Sequence, residues 1–175
     1  MGTPQADIRV HQDPHVLTFR VSGRATMQQS PALLRAAARS LAGGVTSLRV
    51  DLHDCAYMDS TFLGCLLALK RQVDAHGGRD FALIAPSPQC MGLLRQMGMD
   101  RVLHITGEAA AVLPDSEWHA LDDPAPDRHA EFKETVVRAH QELAGLPAGS
   151  GADQFKAIAS KLTRAWEAEK DRPAS

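Results

Sequence analysis

The chain has 175 residues, with 19 Lys and Arg against 21 Asp and Glu, a formal net charge of −2 and 44% hydrophobic residues. This mixed-sign composition carries no run of basic residues and argues against a nucleic-acid groove, which needs clustered Lys and Arg. The first residues, Met1 to Asp7, lack the basic and apolar regions of a signal peptide, and the longest apolar stretch, near Phe62 to Leu69, is far short of a membrane span, so the expectation is a cytoplasmic protein without membrane insertion.

The first elements in chain order are two strands. Ile8 and Val10, then Leu17, Phe19 and Val21, alternate with polar neighbours, and Asp13-Pro14-His15 supplies the turn chemistry of a hairpin. Ser22-Gly23 ends the second strand. Ser30-Pro31 reads as a cap followed by proline at the first helical position, and Leu33, Leu34, Ala37, Ala38 and Leu41 form the apolar stripe of the helix it opens, which Gly43-Gly44 stops. Leu48, Val50 and Leu52 lie on one face of a third strand, with Arg49 and Asp51 on the other, and His53-Asp54 finishes it.

Beyond Met58 the period changes. Leu63, Cys65, Leu66, Leu67, Leu69 and Val73 cover a broad helical face, and Asp59 or Ser60 is its N-cap. Amide N–H groups in that first turn, with the positive end of the helix dipole, stabilise a carboxylate or a phosphate placed there. Gly64 costs about 1 kcal/mol relative to alanine inside a helix, so its presence predicts a close backbone approach, expected against the sheet. Phe81 to Ala85 reads as a buried strand, Ser87-Pro88 opens a helix with Met91, Leu94 and Met97 along one side and Gly98 as terminator, Val102 to Ile105 supplies one more strand, and Glu108 to Leu113 a last short helix.

The segment Tyr57-Met58-Asp59-Ser60-Thr61-Phe62-Leu63-Gly64, after the strand end Asp51-Leu52, resembles the signature of the STAS domain, and its nearest branch is the bacterial anti-sigma factor antagonists. The resemblance covers about Ile8 to Val112. It implies an α/β fold, a mixed β-sheet with helices packed on it. It implies that Ser60 is phosphorylated by a partner kinase, with Thr61 the minor candidate. It also implies the partners: an anti-sigma factor that is itself a serine kinase of the GHKL type, and a PP2C-type phosphatase. The antagonist face is then formed by Gly23 to Thr26, including Arg24, Ala25 and Thr26, by Asp59, Ser60, Thr61, Phe62 and Gly64, and by Pro86-Ser87-Pro88. Many antagonists have Gly-Glu-Leu-Asp after the second strand, where this chain has Gly23-Arg24-Ala25-Thr26. Arg24 then either complements an acidic partner, binds the phosphate on Ser60 in a charge-assisted pair, or is simply solvated.

The division expected is a STAS domain over 1–113, a linker over 114–126 rich in proline and acidic residues, and a C-terminal helical hairpin over 127–175. Phe132, Val136, Ala139 and Leu143 recur at helical spacing, as do Phe155, Ile158, Leu162 and Trp166, with Gly145 to Gly151 between them. A two-helix hairpin has too little core to stand alone, so it docks on its own domain, on a second copy as a homodimer, or on a regulatory partner.

Enzymatic readings fail on spacing. Ser60 lacks the Gly-x-Ser-x-Gly context of a nucleophile elbow. His11 and His15 straddle Pro14 in a turn, and Gly43-Gly44 and Gly77-Gly78 lack a following Gly-Lys-Ser/Thr. The three cysteines, Cys55, Cys65 and Cys90, have no Cys-x-x-Cys spacing and suit buried packing. The expectation is a binding module without catalytic residue, metal or cofactor. Two other classes stay open, a STAS subunit docking the ATPase of an ABC-type lipid transporter and a signalling scaffold whose tail does the assembling.

Overall fold

The computed structural model describes residues 6–107, 114–121, 128–147, 151 and 153–170. β1 (Asp7–Gln12) and β2 (Val16–Ala25) form the expected antiparallel hairpin. Its turn is fastened by Asp13, whose Oδ1 accepts from the backbone N–H of His15 at 3.0 Å and of Val16 at 2.9 Å. Those two bonds hold the Asp13 carboxyl below its ordinary pKa. α1 (Ser30–Ala42) follows, then β3 (Ser47–Asp51), β4 (Cys55–Met58), α2 (Ser60–Ala75), β5 (Asp80–Ile84), α3 (Pro88–Gln96), β6 (His104–Thr106), β7 (His119–Ala120), α4 (Arg128–Ala144) and α5 (Asp153–Lys170).

The sheet runs β6-β5-β3-β2-β1-β7, with β4 paired to β2 off this path. β3, β5 and β6 run parallel to β2, and β1 and β7 supply the antiparallel edge. β2 is shared. Its first half, Val16 to Arg20, pairs with β3, and its second half, Gly23 to Ala25, pairs with β4. The register shifts between Gly23 and Arg24, where Gly23 adopts φ 80°, a conformation that favours glycine.

Leu17, Phe19 and Val21 of β2, Leu48 and Val50 of β3 and Leu83 of β5 form the centre of the core, which α1 and α2 complete with Leu33, Ala37, Phe62, Leu66 and Leu69. α1 and α2 pack against each other. α4 packs against α2, touches α1, and packs against α5. Leu143 and Leu146 join the central core and Phe155 packs on its margin, so the hairpin docks on its own domain. An apolar groove of about 260 Å³ remains at the far end of the hairpin, between Phe132, Val136, Val137, Leu162, Ala165 and Trp166.

Several local expectations are corrected. Gly23 does not end the second strand, because the bulge lets β2 continue to Ala25. Ser30 is the first helical residue and no cap: its hydroxyl donates to Thr26 O at 3.4 Å, while Gln29 occupies the cap position and spends its side-chain oxygen on Thr26. His53-Asp54 forms a turn, and β4, too short to show alternation, was not legible. Val102 closes a 3₁₀ turn over Met99–Arg101, leaving only His104–Thr106 as strand. Within the stretch read as linker, a 3₁₀ turn at Asp115–Glu117 leads into β7 on the edge of β1. There Trp118 is buried beneath the Arg20 guanidinium, 3.9 Å from the ring centre. The helix expected over Glu108 to Leu113 lies outside the described residues. Among the described residues, no helix is long and apolar enough to cross a membrane.

Candidate functional site

The start of α2 is built by Asp59. In extended conformation, it accepts the N–H of Phe62 on Oδ1 at 2.8 Å, the bond that caps the helix. Its Oδ2 accepts the N–H of Met27 at 2.8 Å. One carboxylate therefore joins the helix start to the residues after β2. The backbone closes the same junction, with Asp59 N–H donating to Ala25 O at 3.1 Å and Arg24 and Ala25 paired in register with Tyr57 and Met58. Gly23 to Thr26 and Asp59 to Gly64, far apart in the chain, are thus one patch.

Within that patch the side chains differ sharply in access. Asp59 and Ser60 are half-buried, and Arg24 and Thr26 likewise. Ala25, Thr61, Phe62 and Gly64 are buried. Phe62 points into the core and offers no surface in this conformation. Arg24 lays its guanidinium over the Tyr57 ring at 4.1 Å from the centroid, a cation–π arrangement. Ser87, from the third expected segment, caps α3 by accepting from Cys90 N–H at 3.2 Å and donates its hydroxyl to Cys55 O at 2.6 Å. This ties α3 to β4 just upstream of the patch.

Two residues that sequence reasoning did not assign to the site complete it. Ser60 Oγ lies 3.4 Å from His140 Nε2, and His140 Nδ1 lies 2.8 Å from Val136 O. A carbonyl can only accept, so Nδ1 carries the proton, and in the neutral ring Nε2 accepts from the Ser60 hydroxyl. His140 is buried, with Phe155 of α5 against it at 5.9 Å between ring centres. The second residue is Ala139. A Cβ at position 64 would lie 2.6 Å from Ala139 Cα and closer still to its carbonyl oxygen. The close approach expected at Gly64 is real, but its partner is α4 and not the sheet. An (i, i+1) pair on α4 thus sits over the first turn of α2. The signal for this was present as small residues, Gly64 and Ala139, on two apolar helices, without anything to say that they meet.

Charge flanks the crossing. Glu142 accepts from Arg71 Nε at 2.7 Å, and Arg35 of α1 pairs with Glu131. Glu142 is largely buried, and desolvation holds its carboxyl above the ordinary value despite the pull of Arg71 and Arg138 in the other direction. Cys65, beneath the helix start, is pushed up to about 12 by burial. Cys55 is held up by its hydrogen bond with Cys90 and by burial. All three cysteines are unpaired and buried.

The family profile described as "Mlab, STAS domain" matches residues 8–107, more than half of the chain and the sheet from β1 to β6. No curated protein matches the sequence. Among solved structures, the anti-sigma factor antagonist SpoIIAA in its unphosphorylated form superposes with a TM-score of 0.52 at 17% identity, over 58% of this chain and 89% of that one. An anti-sigma factor antagonist from Mycobacterium paratuberculosis superposes with a TM-score of 0.50 at 22% identity, over 65% of this chain and 91% of that one. At such identities the likeness is one of fold, and together with the matched profile it identifies the chain as a member of the STAS domain family.

Proposed function

We propose that this protein is an anti-sigma factor antagonist, a protein-binding module switched by phosphorylation of Ser60, and not an enzyme. The observation that carries this reading is the position of Ser60 at the first residue of α2, beside an aspartate cap, in a STAS fold. In the reaction, the Ser60 hydroxyl oxygen bonds to the γ-phosphorus of ATP, ADP leaves, and the hydroxyl proton is lost. A PP2C-type phosphatase hydrolyses the product back to serine. Unphosphorylated protein holds the GHKL-type serine kinase that doubles as the anti-sigma factor, and so frees a sigma factor for transcription.

The physics of the switch is charge and bulk. A phosphate adds about −1.5 to −2 charge at Ser60, next to the Asp59 carboxylate. A partner surface fitted to the bare hydroxyl then meets an uncompensated charge. Such a loss costs several kcal/mol, and each 1.4 kcal/mol lowers affinity about tenfold.

A second reading is equally compatible with the contact of Ser60. A hydroxyl already given to His140 suits a constant docking face as well as a switched one. In that case the α2 face binds the ATPase of an ABC-type lipid transporter. Incubating the purified chain with the GHKL-type kinase and labelled ATP separates the two. Label on wild type and none on Ser60→Ala supports the antagonist. Equal labelling of both moves the acceptor elsewhere, and no label together with stable binding of the ABC ATPase supports the transporter subunit.

A further inference from the structure

Part of the surface assigned to a partner, at Ser60 and Gly64, is already occupied by the chain's own tail. α4 crosses α2 at Gly64 with backbone against backbone, which requires a small residue on each helix, and Ala139 is the one on α4. His140, the next residue, takes the Ser60 hydroxyl. Glu142 and Glu131 meet Arg71 and Arg35 on either side of the crossing. Small residue, hydrogen-bond acceptor and two flanking carboxylates together describe the kind of helix that the α2 face takes, and α4 has each of them.

We propose that the α4–α5 hairpin is a removable cover on the Ser60 face. A kinase reaching the Ser60 oxygen, or a partner helix of the same acidic, small-residue chemistry, gains the face only when α4 lifts. The functional half of this inference rests on the reading of Ser60 given above, but the covering itself does not. The footing of α4 is mixed, with Thr135, His140 and Glu142 buried beside Val137, Ala139 and Leu143, and the polar half consists of contacts that water replaces when the helix lifts.

The test needs no kinase. Ser60→Cys in the full chain is titrated with iodoacetamide, and alkylation at position 60 is read by peptide mass spectrometry, the native Cys55, Cys65 and Cys90 being buried. Ser160→Cys, on the exposed side of α5, gives the open-surface rate. With each rate divided by the thiolate fraction read from its pH dependence, alkylation at position 60 is expected at least tenfold slower than at position 160. Adding Ala139→Leu, which overfills the crossing from the α4 side, or Glu142→Arg, which sets like charges against Arg71, is expected to raise it at least tenfold. Amide exchange in β3 should stay unchanged, showing that the body remains folded. If position 60 reacts as fast as position 160 in the otherwise native chain, there is no cover. If both α4 variants leave position 60 slow, the hairpin is either permanent or not the shield, and the inference is wrong in either case. Should the thiol respond as expected while the kinase never labels Ser60, the cover stands and the antagonist reading falls. Where both hold, Ala139→Leu should also speed labelling of Ser60 about tenfold.

Discussion

In β2, Leu17, Phe19 and Val21 are sealed among Leu48, Val50 and other aliphatic side chains, whereas α4 buries Thr135, His140 and Glu142 alongside Val137, Ala139 and Leu143. In the sheet body the buried apolar side chains far outnumber the buried Thr18, Ser30, Asp51 and Thr61, whereas in α4 buried polar and apolar side chains are evenly matched. The hairpin is held by the crossing at Gly64, by Leu143 and Leu146 in the core, and by ion pairs and a hydrogen bond that each need a particular geometry. A half-buried pair such as Arg35 with Glu131 gains little once its desolvation is counted, and the buried Glu142 contributes only while Arg71 stays in place. The two regions therefore differ in how they fail. The body should come apart all at once, and the hairpin should come away first.

The largest effect is expected at the body. Phe62→Ala removes a fully buried ring and should cost about 3–5 kcal/mol, seen as an earlier and still single denaturation transition for strands and helices together. A loss confined to α4 and α5 would mean that Phe62 serves the crossing and not the core. Next comes Ala139→Leu, expected to cost about 1–3 kcal/mol by overfilling the close approach to Gly64. Here the contrast predicts fast amide exchange in α4 with unchanged protection in β3, and a matched loss in both would erase the distinction. Asp59→Ala removes a cap and the bond to Met27, worth about 1–2 kcal/mol, and should loosen the first turn of α2 together with residues 26–28. Nuclear magnetic resonance shifts confined to α2 would show that the bridge to Met27 carries no load.

A smaller and pH-dependent effect belongs to Glu142. Its pKa in the folded chain lies above the ordinary 4.5, chiefly through desolvation, with Arg71 and Arg138 opposing. Between 4.5 and that raised value the docked hairpin binds more protons than the released one. Docking is thus favoured at the acid end of this window and weakens as pH rises through it. Glu142→Gln should flatten the pH profile of α4 amide exchange, and an unchanged slope would place the titration elsewhere. The smallest effect is expected on the outside of α5. Ile158→Ser should change stability by no more than about 0.5 kcal/mol, and a drop in solution mass on this substitution would instead reveal a dimer held by that face.

Much of the body was readable because its signals are local. The hairpin turn at Asp13, the cap at Ser87, the terminator at Gly98 and the start of α2 at Asp59 each depend on residues within a few positions of one another. Pattern failed where the decisive bond was not local. β4 is four residues held by pairing with β2, and β7 is two residues held by β1, so neither carries a period of its own. Ser30 looked like a cap, but Gln29 and Thr26 had already claimed the bonds that a cap would make.

The candidate site divides in the same way. Sequence alone determined that Ser60 opens an amphipathic helix behind an aspartate, because capping and helical periodicity are properties of neighbouring residues. It also determined that Gly64 anticipates a close approach and that the last two helices need a surface to dock on. Which surface, and what stands over Ser60, was decided by the tertiary structure. The hydroxyl and the His140 ring are 80 positions apart, and no period or local propensity connects them. Only the packing of α4 on α2 brings the pair within hydrogen-bonding distance, because backbone contact at Gly64 sets both how near α4 lies and which of its residues faces the serine.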